Sequence, residues 1–352
     1  MSKSSLYIAT QGAIIAREGE RLVVSLRHKK LSEIAIREVE QIVLFGNVEV
    51  TRPAIDLCLT RQVDIIYLNF SGRFMGRLAG SAAGNIDLRR AQFSLSCLTA
   101  VNRQVIGETL ASQQANPELP LRIASAIVYG KLANCATLLF RGARNQNNAA
   151  VRDIAEGIKV DILPDVKNAS SFANLRGLEG IGAKNYFNGY RGLMDPEFSF
   201  VKRIRRPPKD PINVLLSLGY TLLANQIHSI VSYIGFEPFL GIYHTPKHGR
   251  PALALDLMEE FRSVLVDACV LNSINTRSLR PNDFETAGEA CTLGRPGLGR
   301  FLNRFNGYLQ REIFYEERGC KVSYRRIIEL QARQLAAVVT GKKSAYKAFR
   351  VR

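Results

Sequence analysis

Several things are scarce in this 352-residue sequence, and each scarcity closes a route. Cysteine occurs six times, at Cys58, Cys97, Cys135, Cys269, Cys291 and Cys320. These positions form no CxxC and no Cys/His cluster, so neither a zinc finger nor a disulfide framework is supported. The cysteines read as reduced, mostly buried thiols. No apolar run reaches the length of a membrane span. The best candidate, INVLLSLGYTLLANQIHSIV from Ile212, is interrupted by Asn213, Ser217, Asn225, Gln226 and His228. The start, MSKSSLYIAT, lacks the charged and then apolar pattern of a signal peptide, so a cytoplasmic protein is expected. There is no GxxxxGK[ST], no internal repeat and no low-complexity tail.

Acidic residues are also in deficit, 31 against 48 Lys and Arg, a net charge of +17. Such an excess points to a polyanionic partner. It is uneven: residues 1–90 hold 13 basic and 9 acidic residues, and the remainder 35 and 22. Most of the charge therefore belongs to the larger, later part. With 46% hydrophobic residues the chain has enough apolar material for two domains and a core without staples.

The first part reads as strands. LYIAT, AIIAR, RLVVSL and QIVLF are short, rich in β-branched residues and separated by glycine-bearing turns. A short helix follows Thr51 with Pro53 in its first turn, then a buried strand VDIIYLN and its hairpin partner in SGRFMGRLAG. From about Leu88 the apolar spacing changes to three and four, as in RIASAIVYGKLANCATLLF. NQNNAAVRD reads as a helix–helix connection, and Asn168–Ser171 as the start of the helix that carries LRGLEGIGAKNYF. Asp210 and Pro211 then open the long apolar helix, and the Gly/Pro stretch at 293–299 reads as looser chain. The expectation is an α+β protein: a β-rich domain over 1–85 and a larger all-α domain over 86–352.

The chemistry concentrates in the second part. In HTPKHGRPALALDLMEEFR, one of only four histidines, His244, precedes an apolar helix carrying Asp256, Glu259 and Glu260. Asp256 and Glu259 are three apart and rise side by side; Glu260, four from Asp256, is an alternative that spacing does not choose between. Adjacent carboxylates repel unless a proton or a cation lies between them, and an imidazole with carboxylates suits Mn²⁺ or Mg²⁺. The bland alternative is a solvated acidic helix turn. Glu179 lies among Gly177, Gly180 and Gly182, a spacing that implies close approach by another element or else a helix end. Lys202, Arg203, Arg205 and Arg206 form the densest basic run, and Lys247, His248 and Arg250 flank the histidine; both groups are candidates for phosphate contact.

Taken together, LEGIGAKNYF, RRPPKDPINVLLSLGYTLL, GFEPFLGIYH and RPALALDLMEEFR resemble the CRISPR-associated integrases of spacer acquisition, the first-numbered Cas proteins. The resemblance begins in LYIATQGAIIAREGERLVV and continues through SYRRIIELQARQLAAVVTG, nearly the whole chain. It implies an N-terminal β domain, a helical catalytic domain, and a metal site of Glu179, His244 and Glu259 supported by Asp256. It thereby favours Glu259 over Glu260. It further implies an asymmetric homodimer formed through the β domain, double-stranded DNA as substrate, and a small ferredoxin-like partner, the second-numbered Cas protein. The implied reaction is transesterification: the 3′-hydroxyl of a short duplex joins a CRISPR array, with Mg²⁺ or Mn²⁺ as cofactor. The rivals are a transposon-type integrase of the same fold and a basic, non-catalytic DNA-holding scaffold.

Overall fold

The computed structural model describes residues 3–81, 84–97, 118–204, 208–287 and 290–351. Strands β1 (Ser4–Ile8), β2 (Ala13–Glu18), β3 (Arg21–Leu26), β4 (Lys29–Ala35), β5 (Val39–Phe45), β6 (Val48–Val50), β7 (Asp64–Leu68) and β8 (Phe74–Leu78) come first, with helix α1 (Arg52–Thr60) between β6 and β7. They form two four-stranded sheets, ordered β1-β5-β7-β8 and β4-β3-β2-β6. In the first, β1, β5 and β7 are parallel and β8 returns antiparallel to β7. β4 has no alternation that marks it in the sequence, because most of its residues face water as a charged sheet edge.

Strand β5 joins the two halves of the molecule. Its side chains alternate: Ile42 and Leu44 enter a core shared by the two sheets and α1, while Val43 and Phe45 enter the core of the helical region. A strand buried on both faces reads as a continuous apolar run, and VEQIVLF does.

Among the described residues there are eleven α-helices; after α1 come α2 (Ile86–Cys97), α3 (Leu119–Gln146), α4 (Ala149–Gly157), α5 (Leu163–Lys167), α6 (Phe172–Arg191), α7 (Pro211–Ile234), α8 (Ala252–Met258), α9 (Ala268–Asn275), α10 (Arg295–Gln310) and α11 (Tyr324–Val339). Helices α6 and α7 start at capping side chains. Ser171 accepts from the Asn174 N–H at 3.1 Å, and Asp210 from the Asn213 N–H at 2.9 Å. The Gly/Pro stretch expected to be loose is instead the start of α10, with Gly294 at the cap and Pro296 in the first turn, where a missing N–H costs nothing. The helical region also contains two hairpins that the periodicity did not reveal, β9–β10 (Phe284–Ala287, Ala290–Leu293) and β11–β12 (Glu312–Tyr315, Cys320–Ser323). Four-residue strands are too short to show a period.

Helices α3 and α7 are long and apolar enough to cross a membrane, contrary to the sequence reading. However, 67% and 61% of their most apolar windows are buried inside the protein, as core helices. α7 docks on the first sheet through a polar seam. The Gln41 side chain donates to Gln226 at 2.8 Å, the Ser229 hydroxyl donates to Asp64 at 2.7 Å, and Arg77 pairs with Asp64 at 3.3 Å. Of the described cysteines, Cys58, Cys135, Cys269 and Cys291 are buried thiols, and Cys320 is exposed.

Helix α6 lies on α3, and one of its three clustered glycines explains how closely. A Cβ at Gly182 would sit 2.7 Å from both Leu132 methyls, whereas Gly177 and Gly180 face open space. Close approach therefore needs glycine at 182 alone, and Glu179 sits one turn before it on the same helix. Gly182→Val should destabilise the fold by about 1–3 kcal/mol. Gly180→Ala should be neutral or stabilise by up to about 1 kcal/mol. Urea denaturation of the two variants checks the contrast, and equal effects would contradict it.

Candidate metal centre

The stretch read as one continuous helix from Pro251 to Ala268 is broken. α8 ends at Met258, residues 259–261 form a turn, and a wider π-helical turn over Arg262–Asp267 leads into α9. The break sends three neighbouring carboxylates in three directions. All are buried, with relative exposures of 0% for Asp256, 2% for Glu259 and 0% for Glu260. The solvated reading of this acidic turn is therefore wrong. Each carboxylate must have its own compensation.

Asp256 holds the histidine loop. Its Oδ2 accepts from the backbone N–H groups of Ile242 at 2.6 Å and Tyr243 at 3.0 Å, and its Oδ1 from the His244 N–H at 2.8 Å. The loop approaches so closely that a Cβ at Gly241 would stand 2.7 Å from the His244 carbonyl and 3.0 Å from Asp256 Oδ2. The same Oδ1 lies 2.7 Å from His244 Nδ1. A carboxylate only accepts, so Nδ1 carries a proton, which leaves Nε2 as the ring nitrogen on the Glu259 side. That Nε2 faces Glu259 Oε1 at 3.7 Å. A carboxylate as buried as Glu259 calls for cations beside it.

Two cations of the chain are there. Arg262 reaches Glu259 Oε1 at 2.9 Å, and Lys131, projecting from α3, lies 2.8 Å from Glu259 Oε2 and pairs with Glu179 Oε1. The Lys131–Glu259 contact is an ion pair without hydrogen-bond geometry, so Glu259 Oε2 has no well-aligned donor. Burial alone would push the Lys131 pKa down, but Glu259 and Glu179 outweigh it and hold the ammonium charged. Burial likewise works to raise Glu259, but Arg262, Lys131 and His244 hold its carboxyl at about 2. Glu179 is the outer edge of the cluster, its side chain 25% exposed.

As the side chains stand, no three His, Cys, Asp or Glu among the described residues close around one point to hold a metal. The Lys131 ammonium bridges the two carboxylates instead. The donors nevertheless fit a divalent ion in kind: an imidazole nitrogen fixed in the right tautomer and two carboxylates already gathered around a positive charge. Glu260 is directed away from this group. It accepts from the Phe349 N–H at 2.6 Å, the Gln331 amide at 2.9 Å and the Tyr346 hydroxyl, and so ties the C-terminal segment to the core. Of the two glutamates that spacing left open, Glu259 is the one that lies beside His244 and Lys131.

The basic residues divide. Lys202, Lys247 and His248 are exposed and Arg250 is half-buried on a tight turn in which Lys247 pairs with Arg250. Arg203 is turned inward, donating to Asn213 Oδ1 at 2.7 Å and Ser217 Oγ at 3.0 Å, with its guanidinium over the Tyr220 ring. Arg205 and Arg206 lie outside the described residues. Sequence reasoning missed Lys131 and Arg262. Arg262 had a signal, three residues after Glu259; a single lysine within an apolar helix had none.

A family model described as "CRISPR associated protein Cas1" matches residues 6–116 and 102–307. The chain belongs to the Cas1 family. It is 34% identical over 351 residues to a CRISPR-associated endonuclease Cas1 of Thermus thermophilus, covering 99% of this chain and 97% of that one. It is 33% identical to a Cas4 exonuclease/Cas1 endonuclease fusion of Geobacter sulfurreducens, covering 98% of this chain but 60% of the fusion. Among solved structures, a casposase bound to its integration product aligns with TM-score 0.80 and 20% identity, over 100% of this chain and 95% of that one. A Cas1 protein from Thermotoga maritima aligns with TM-score 0.77 and 22% identity, over 99% and 100%. These two likenesses bear on the fold, and the β-then-helical architecture of this Cas1-family chain matches theirs.

Two measurements check the electrostatics. Asp256→Ala leaves three backbone N–H groups without their acceptor and should cost about 3–5 kcal/mol in urea denaturation, with Asp256→Asn losing less. For pH, burial raises Glu260 to about 7 from 4.5 and Asp267 to about 6 from 3.8. The unfolded chain gives up these protons first, so their contribution is full below the unfolded values and is lost as pH rises through 6 to 7. Tm should therefore fall between about pH 5 and about pH 8, with a flatter profile in Glu260→Gln. A Tm that climbs across that window would contradict the assignment.

Proposed function

We propose that this chain is a metal-dependent DNA integrase and endonuclease of CRISPR adaptation. It would join the 3′-hydroxyl ends of short duplex DNA into a CRISPR array. The observation that carries the reading is that Glu179, His244 and Glu259, far apart in sequence, lie side by side: the Lys131 ammonium links the two glutamates, and His244, held by Asp256, faces Glu259. Under this reading Glu179, His244 and Glu259 hold Mg²⁺ or Mn²⁺. When bound, the ion supplies Lewis acidity to the reacting phosphodiester and its attacking hydroxyl.

The chain's own groups do the rest. Asp256 fixes the imidazole ring through Nδ1 and so turns Nε2 to the Glu259 side. Arg262, held between Glu259 and the Tyr220 ring, keeps positive charge where charge builds up on the transferring phosphate. Glu179, the most exposed of the three, would be the ligand nearest to arriving DNA. One P–O bond forms to the incoming 3′-oxygen as one P–O bond of the target strand breaks, and its 3′-oxygen leaves and takes a proton. The exchange is close to energy-neutral, consistent with the absence of a nucleotide-binding loop from the sequence. Lys202, Lys247, His248 and Arg250 would take sequence-independent phosphate contacts.

Partners belong to the same proposal. The relatives' name, endonuclease, and the solved complex titled Cas6-RT-Cas1–Cas2 support DNA and the small ferredoxin-like Cas2 as partners. A homodimer through the β domain is part of the reading, with the adjacent exposed Phe74 and Met75 of β8 as candidates for its interface. A cytoplasmic location, where CRISPR DNA is found, completes the reading.

The deciding assay is strand transfer of a labelled short duplex into a supercoiled array plasmid, with Mn²⁺, Mg²⁺ or EDTA, with and without Cas2. Glu179→Ala and His244→Ala should each lower joining by at least about a hundredfold while leaving salt-sensitive DNA binding largely intact. Unchanged joining in either variant would favour the non-catalytic scaffold.

A further inference from the structure

Lys131 is the one feature of the centre that a metal site does not explain. It is 9% exposed, it grows from the middle of the apolar helix α3, and its ammonium contacts both carboxylates proposed as metal ligands. Burying a lysine is costly unless its charge is matched, and here two acidic partners match it. With Arg262 on the other oxygen of Glu259, two cations stand against two carboxylates. The charges of these four groups cancel. A divalent ion seated among the same carboxylates would have to displace the ammonium or add two further charges beside it, and either is unfavourable without a new anion.

We propose that Lys131 is an internal counter-ion that holds the metal ligands closed until DNA arrives, so that metal binding and DNA binding are coupled. This rests on the metal-centre reading above and adds an order of events to it. A DNA phosphate at the Glu179 rim gives the ammonium another anion. Lysine suits the exchange because it is a compact charge on a four-carbon stem that swings without breaking a planar bidentate pair. Once Lys131 turns to the phosphate, Glu179 and Glu259 are free to take the divalent ion. Arg262 remains in place, pinned by the Tyr220 ring and Glu259. The device would keep a nuclease centre unloaded, and so inactive, when no DNA is bound.

Thermodynamic linkage makes this measurable without any turnover. Mn²⁺ binding is followed by electron paramagnetic resonance of the free ion, with the intact protein, with and without a short duplex whose 3′ ends are dideoxy-terminated. In wild type, DNA should tighten Mn²⁺ binding at this site by about tenfold or more, and Mn²⁺ should tighten DNA binding by the same factor. In DNA-free Lys131→Gln, which lacks the internal charge, Mn²⁺ should already bind about tenfold tighter than in DNA-free wild type. His244→Ala, which removes a ligand, is subtracted to account for ions bound by the duplex itself. Circular dichroism checks that each variant is folded.

The arms separate the two ideas. If wild type binds Mn²⁺ equally well with and without DNA, and Lys131→Gln binds it no better or less well, the counter-ion role is overturned while the metal centre stands. If no sample, DNA-bound wild type included, shows Mn²⁺ binding that His244→Ala removes, the metal centre fails and the counter-ion role falls with it. If Lys131→Gln is misfolded, the DNA dependence of wild-type Mn²⁺ affinity decides alone: no dependence overturns the proposal.

Discussion

The carboxylate of Asp256 organises this molecule's chemistry. It is fully buried and accepts three successive backbone N–H groups and the imidazole of His244. Without it, the 242–244 turn would have no acceptor and the histidine no fixed tautomer. Gly241 lets the loop approach closely enough for all of these bonds. A break in the helix just after Asp256 then lets its neighbours diverge, Glu259 to the cationic cluster and Glu260 to the C-terminal segment. Three carboxylates within five residues can be buried together because each has separate compensation.

The larger architecture serves to fix the distance between α3, α6 and the histidine loop. Gly182 brings α6 against Leu132 of α3, one residue along from Lys131, and so places Glu179 within reach of that ammonium. Farther along α6, Tyr186 donates to Asp267 at 2.6 Å, as does Tyr220 of α7, and Tyr220 in turn lies under Arg262. Side chains from four segments thus brace one arginine and one glutamate. The seam of Gln41, Gln226, Asp64 and Ser229 ties this frame to the sheet below.

Much of this was legible in the sequence, for identifiable reasons. Strands β1, β2, β3, β5 and β7 appear because burial imposes β-branched, apolar composition, and α7 because Asp210 and Pro211 mark its start. Glu179, His244, Asp256 and Glu259 stand out through sequence motifs. The misses share a cause: they depend on contacts between distant segments. Nothing local says that the helix after Asp256 must break, that Lys131 faces inward, or that Arg203 is spent on Asn213 and Ser217. β4 and the two late hairpins were missed because exposed or very short strands show no period.

The central proposal is that Glu179, His244 and Glu259 would close on one divalent ion when DNA is present, in place of the Lys131 ammonium that links the two glutamates. Anomalous scattering at the manganese edge, from crystals of the DNA complex grown with Mn²⁺, tests it most directly. The account predicts a single strong peak in bonding contact with His244 Nε2 and both glutamates, with the Lys131 ammonium moved off Glu259 onto a phosphate. A peak elsewhere, with Lys131 still bridging Glu179 and Glu259, would contradict it.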